Sequence, residues 1–378
     1  MLELLDYQTL RVIWWLLLGV LLAGFAIMDG FDIGLAMVYR WLTRDDKERR
    51  VFLETIEPVW EGNQVWFVLG GGAIFAAWPI LYSVAFSGMY FGLLLVLLGL
   101  IIRPVGFNFR NKMPSSAWRN AWDWGLFVSG LVPALVFGVA FGNLFLGVPF
   151  SFDDTLRMTY TGSFFALLNP FAVLCGLVSI SMLCMHGATY GALKADAKLA
   201  PRARVAARLS ALVYLLTFGA AGYWLLHGGV PAYQIVDAVT GGPSNPTLKQ
   251  VVVDGNWFSN YNSYPWMWAF PALGVFGALL TATLLALKKD GLAFITSSLV
   301  QLGTIFTAGM ALFPFMLPSS SHPGHSLTVW DASSSHLTLG IMLVATIILL
   351  PIVLAYTTWV FRVLKGRVNI NDMHDAHY

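Results

Sequence analysis

The chain has 378 residues, of which 57% are hydrophobic and 11% charged, with a mean hydropathy of +0.70 and 15 Trp, 13 Tyr and 27 Phe. Soluble domains carry about 25% charge, and so few charges cannot cover a soluble exterior of this size, which excludes soluble enzymes, nucleic-acid binders and disordered scaffolds. The net charge of +2 says nothing about partners, because in a membrane chain the placement of charge matters more than its sum.

The composition predicts an all-α, polytopic integral membrane protein, residues 1–378 forming one membrane domain. A helical span needs about 20 mostly apolar residues. The N-terminus, MLELLDYQTLR, is acidic where a signal peptide is basic, and no small-residue cleavage site follows, so the first apolar stretch, 12–32, is expected to stay as a span. Segment 33–58 is charged and amphipathic and reads as a short helix on the cytoplasmic surface. Stretches 63–83 and 86–106 are separated only by the neighbourhood of Ser87 and Gly88. As one helix they would run about 60 Å, twice the hydrocarbon thickness, so a tight hairpin is expected. The next spans are 123–147, with Asp123 of WDWG reading as an N-cap, then 163–187 and 205–227. An external loop over 228–264, rich in turn formers and aromatics, leads to spans 265–287, 291–317 and 337–361. Nine spans suggest two four-helix bundles plus one extra span, although no sequence repeat is visible.

Smaller features fit this frame. Cys175 and Cys184, nine residues apart in one span, would lie about 13.5 Å apart on a helix, too far for a disulfide. Gly70–Gly72 and Gly88 are expected to permit close helix packing, and Pro79, Pro271 and Pro314 to kink spans. With the N-terminus outside, the loops after odd-numbered spans, together with the span ends that border them, hold nineteen of the 22 Lys and Arg, leaving Arg11, Arg157 and Lys249 on the other side. That asymmetry predicts N-out, C-in.

An ionisable residue inside a span points to function. Asp29 and Asp32 lie three apart in MDGFDIG, on one helix face. Asp29 falls about 26 Å from the outer end of its span, and Arg103 of LIIRPVGF is at a similar depth in the third. Glu61 opens the second span beside Trp60, Asn63 and Trp66. A carboxylate among amides and indoles at a membrane mouth can pass protons. The structural alternative is that all four charges mark helix ends, with Arg103 snorkelling and neutralising Asp29 or Asp32. Haem needs axial His or Met, and a bis-His site needs two facing spans. His186 alone lies within an apolar run on the cytoplasmic half, so it reads as a satisfied polar residue. His227 ends a span, His322, His325 and His336 are external, and His374 and His377 lie in the tail. No haem ligand and no metal ligand is assigned.

Together these motifs resemble subunit II of the cytochrome bd-type quinol oxidases. The resemblance runs from about residue 8 to 368 and rests on LRVIWWLLLGVLLAGFAIMDGFDIG, PVWEGNQVWFVLGGGAIFAAWP, LIIRPVGFNFR, DWGLFVSGLVPALVFGVAFGNLFLGVPF, GSFFALLNPFAVLCGL, TAGMALFPFMLPSS and LTVWDASSSHLTL. It implies a haem-free helical subunit of a respiratory terminal oxidase in the bacterial cytoplasmic membrane. Haems b and d would then sit in a partner, subunit I, and quinol and dioxygen would react through the complex. It also implies a proton path with Glu61 and Asp29 as carriers, supported by Asp32, Trp60, Asn63, Trp66 and Arg103. At the Glu61 position many relatives have Asp. Small single-span accessory subunits and a structural quinone are further family possibilities. The rival class is a secondary transporter, but there the buried charges sit near the midplane of repeated halves. A purely structural scaffold is the third reading, under which Glu61 is dispensable.

Overall fold

The computed structural model describes residues 5–237 and 240–372. Twelve α-helices dominate those residues. Helix α1 (Tyr7–Leu42) is capped by Asp6, whose carboxylate accepts from Thr9 N–H, and runs 36 residues without a break. It therefore extends ten residues past the predicted span, and the surface helix is confined to α2 (Asp46–Ile56). Asp45 caps α2, and Glu48 reaches back to Arg44 N–H at 2.7 Å.

The second predicted span differs most from its expectation. Helix α3 (Trp60–Ala77) stops at Trp78 and α4 (Pro79–Gly88) leaves it at 120°. Proline lacks an N–H and pushes the residue before it out of the helical region, and Trp78 has φ −135°, ψ 71°. The main turn is thus at Pro79 rather than at Ser87 and Gly88, which close α4 before α5 (Tyr90–Phe109). Eight described helices are long and apolar enough to cross a membrane, or nine if the bent α3–α4 pair forms one span. The hairpin, and not a single over-long helix, is what forms.

The remaining long helices are α6 (Ser116–Leu146), α7 (Pro170–Lys194), α8 (Ala200–Leu226), α10 (Ala269–Ala286), α11 (Asp290–Leu312) and α12 (His336–Val363), with a short α9 (Ser259–Ser263). Pro271 sits in the first turn of α10, and Pro314 follows the end of α11, so neither kinks a span. Helices α1, α3, α5 and α6 pack as one four-helix group and α7, α8, α10 and α11 as a second. The two groups meet where α1 and α6 cross α7 and α11, while α12 leans on α1 and α3 as the extra helix.

Close approach between the groups depends on Gly34 and Gly187. A Cβ on Gly34 would collide with the Leu183 carbonyl, and one on Gly187 with the Leu35 backbone. The triple glycine behaves differently, since Gly71 and Gly72 meet nothing within 4 Å. Gly88 does face a neighbour, with Tyr160 ring atoms 2.8 Å from a built Cβ.

Among the described residues there are three two-stranded antiparallel pairs: β1 (Phe150–Phe152) with β2 (Met158–Tyr160), β3 (Gln234–Asp237) with β4 (Gln250–Val252), and β5 (Phe315–Leu317) with β6 (Leu327–Thr328). A core of Leu10, Trp14, Trp78, Phe150 and Leu327 joins β1, β5 and β6 to the N-terminal end of α1. There the buried Arg11 stacks 3.6 Å over Tyr7 and donates to Ser333 Oγ and to the carbonyls of Thr240 and Gly242. The opposite end carries the paired arginines. Arg202 meets Glu48 at 2.6 Å, and Asp290 accepts from both Arg204 and Arg367.

Candidate functional site

The length of α1 carries Asp29 and Asp32 into the first four-helix group, where both are fully buried. Three residues apart, they share one face of the helix. Arg103, on α5 and equally buried, donates from Nη1 to Asp29 Oδ1 at 2.5 Å. Asn63, one turn into α3, donates from Nδ2 to Asp32 Oδ2 at 2.8 Å. Three helices thus converge on one level, and the sequence grouping of Asp29, Asp32, Asn63 and Arg103 is a contact group.

The balance of charges in this cluster is uneven. Two carboxylates face one guanidinium, and Asp29 Oδ2, Asp32 Oδ1, Arg103 Nε and Arg103 Nη2 are buried without a hydrogen-bond partner. Buried polar atoms are normally satisfied. A cluster with spare acceptors and donors beside a carboxyl held only by an amide is equipped to take up and release a proton.

The indoles flank it. Trp66 is buried and presses its ring against Gly24 of α1, where any side chain would collide. Trp60 is half-buried against Phe107 of α5, with ring centroids 5.9 Å apart. Glu61 does not join the buried group. Two residues before Asn63, it points about 200° around the helix and is exposed. It heads a stripe on α3 that continues through Val65, Val68 and Phe75, exposed by 47%, 67% and 60%.

The sequence reading of Asp123 as an N-cap is corrected. Ser115 caps α6, its hydroxyl accepting from Trp118 N–H, and Asp123 lies two turns inside. It is fully buried and accepts from Arg110 Nε at 2.6 Å, Arg49 Nη1 at 2.6 Å and Tyr39 hydroxyl at 2.8 Å. Arg110 and Arg119 also bind Asp46, at 2.8 and 2.7 Å. Burial raises the Asp46 carboxyl, but those two guanidinium groups outweigh it and hold it below the ordinary carboxylate range. The signal available in the sequence was Ser115 itself, a cap eight residues before the expected helix start.

His186 has both ring nitrogens engaged, one with Ser297 Oγ at 2.8 Å and one accepted by the Ile27 carbonyl at 2.9 Å. It is therefore not presented as an axial ligand. Among the described residues no group of three or more His, Cys, Asp or Glu is arranged to hold a metal ion. His322 and His325 stack at 5.3 Å, and His325 Nδ1 accepts from Phe152 N–H. His374 and His377 lie outside the described residues.

The family model for cytochrome bd terminal oxidase subunit II matches residues 10–364. The chain belongs to that family. Among its relatives, cytochrome bd-I ubiquinol oxidase subunit 2 of Escherichia coli K12 is 49% identical over 372 residues, 98% of either chain. The probable cytochrome oxidase subunit 2 of Haemophilus influenzae is 49% identical over 370 residues, and cytochrome bd ubiquinol oxidase subunit 2 of Bacillus subtilis 33% over 366. These cover 97% and 96% of this chain and 97% of each relative. Among solved structures, bd oxidase from Geobacillus thermodenitrificans superposes with a TM-score of 0.69 over 94% of this chain and 99% of that one. At 19% identity that likeness speaks for the fold. As a member of this family, the chain is a multi-pass membrane subunit of a terminal oxidase.

Proposed function

We propose that the chain is the haem-free subunit II of a respiratory quinol:oxygen oxidoreductase in a bacterial cytoplasmic membrane. Haems b and d in a partner subunit I supply the chemistry that reduces dioxygen to water with quinol electrons. The contribution of this chain is to support that subunit and to carry protons from the cytoplasmic side. The gathering of nineteen Lys and Arg in the loops after odd-numbered spans and the span ends that border them supports an N-out, C-in orientation.

The observation that carries the proton reading is the buried cluster. Reducing dioxygen to water consumes protons, and aliphatic side chains and lipid cannot conduct them. Ionisable groups inside a membrane are costly and persist where protons or ions pass. Glu61 stands at the N-terminal turn of α3, where the helix dipole favours a carboxylate. It takes a proton from the cytoplasmic solution on one side of α3, while Asn63, Asp32, Asp29 and Arg103 form a buried group on the other side of the same helix. Glu61 stands at the cytoplasmic end of the α3 stripe, and the exposed apolar Val65, Val68 and Phe75 form the face that we assign to subunit I.

The test is to purify the tagged chain from its own membranes, record a reduced-minus-oxidised spectrum and measure quinol-driven oxygen uptake. Haem bands and uptake that co-purify with the chain are expected. A monodisperse, haem-free preparation with no haem-bearing companion would overturn the assignment.

A further inference from the structure

The cluster centred on Asp123 lies outside the proposed proton route, yet it stands on the same two helices. Arg103 of α5 and Arg110, which caps that helix, are seven residues apart, about two turns and 10.5 Å along the axis, so they share a side. On α1, Asp29 and Tyr39 are ten residues apart, about 15 Å along the axis, so each helix carries one member of both contacts. Arg110 and Tyr39 converge on Asp123, and Arg103 meets Asp29 two turns further along the same seam. Two polar contacts are thus stacked along α1 and α5, with α6 packed against both helices.

The segment between them is locally weak. Pro104 follows Arg103 directly and removes one donor from the α5 ladder. The helix therefore cannot by itself transmit a firm register from its far end to Arg103. Asp123 supplies the missing anchor, because it is fully buried, belongs to α6, and also holds Arg49 of α2. Gly106 lets α5 come close enough, since a Cβ there would meet Leu126 at 2.7 Å. Around Asp123 the charged and titratable groups are Tyr39, Asp46, Arg49, Arg110 and Arg119.

We infer that Asp123 is a positioning residue for the Asp29–Arg103 pair: from α6, which packs against both helices, it pins Arg110 and Tyr39, sets the register of α5 relative to α1, and so sets the place where Arg103 meets Asp29. Its consequence for turnover rests on the proton role proposed above, whereas the geometric claim does not, and the experiment reads the geometry directly. Dicyclohexylcarbodiimide modifies protonated carboxyls in apolar surroundings and spares ion-paired carboxylates. The intact complex is labelled with this reagent, and the modified fraction of Asp29 is measured by peptide mass spectrometry in the parent, Arg103→Leu, Asp123→Asn, the milder Tyr39→Phe, and the Arg103→Leu/Asp123→Asn double variant.

At matched haem content, Arg103→Leu and Asp123→Asn should each raise Asp29 labelling several-fold, and Tyr39→Phe should raise it less. The double variant should label like Arg103→Leu alone, because the register no longer matters once its object is gone. Parental labelling in both Asp123→Asn and Tyr39→Phe would overturn the inference, as would additive labelling in the double variant. If labelling behaves as expected while Glu61→Gln leaves oxygen uptake intact, the positioning stands and the proton reading falls.

Discussion

Removing the Arg103 charge should cripple assembly, and a second change should repair it. In Arg103→Leu the Asp29 carboxylate loses the partner that donates to it at 2.5 Å. Both groups are fully buried, so water does not replace the bond, and Asn63 is already committed to Asp32. Breaking a buried pair from one side typically costs about 3–5 kcal/mol. Each 1.4 kcal/mol is a factor of ten, so the folded population shifts by roughly 10²–10⁴. Asp29→Asn in the same chain removes the stranded charge and keeps the shape. The assay is the amount of haem-containing complex per membrane protein, with thermal half-life as a second measure. The single variant should lose most of its complex, and the double should recover a substantial part. If the two substitutions damage assembly additively, the two side chains do not act as a pair, and the reasoning about the cluster is refuted.

Other expectations follow from the packing and the basic end. Gly34→Val should push α1 away from α7, because a Cβ already collides with the Leu183 carbonyl; a marked drop in melting temperature is expected, while Gly71→Ala, in open space, should leave it nearly unchanged. Acid should weaken the α2 anchorage. The Asp46 carboxyl is held low by Arg110 and Arg119, so its contribution is present above the ordinary carboxylate range and disappears as the pH falls through its depressed value. Stability of the solubilised complex should therefore decline below about pH 4. Asp46→Asn should lower the neutral plateau and flatten that part of the decline, and an unchanged acid limb would contradict the assignment.

Much of the architecture was readable because membranes impose strong rules. Apolar runs of span length and the one-sided Lys and Arg located the helices, and a three-residue spacing put Asp29 and Asp32 on one face. Equal depth then brought Arg103 to them, as the 2.5 Å contact bears out. What escaped depends on tertiary contact. Asp123 looked like a cap because it precedes an apolar run, but α6 begins at Ser115, and only the fold brings Tyr39, Arg49 and Arg110 to it. A kink at Pro79 was legible, but the apolar run that continues through it hid that the chain turns there by 120°. Glycine contacts were equally opaque: the conspicuous Gly71 and Gly72 face open space, and the isolated Gly34 and Gly187 form the tightest crossing between the helix groups. Glu61 was grouped with the cluster by its depth at the mouth of the second span, but its separation of two residues from Asn63 on a helix turns it to the opposite side.

The exposure of Glu61 makes it the most direct test of the proton route. A relay carboxyl must exchange a proton, so a side chain of the same shape that cannot exchange should fail. Oxygen uptake with excess reduced quinol, normalised to haem, should fall by about tenfold to a hundredfold in Glu61→Gln, within reach of what one positioned proton-transfer group contributes. Glu61→Asp should keep much of the parental rate, because the carboxyl remains. If the Gln variant turns over like the parent at equal haem content, Glu61 is an ordinary surface residue of α3 and the chain carries no protons through it.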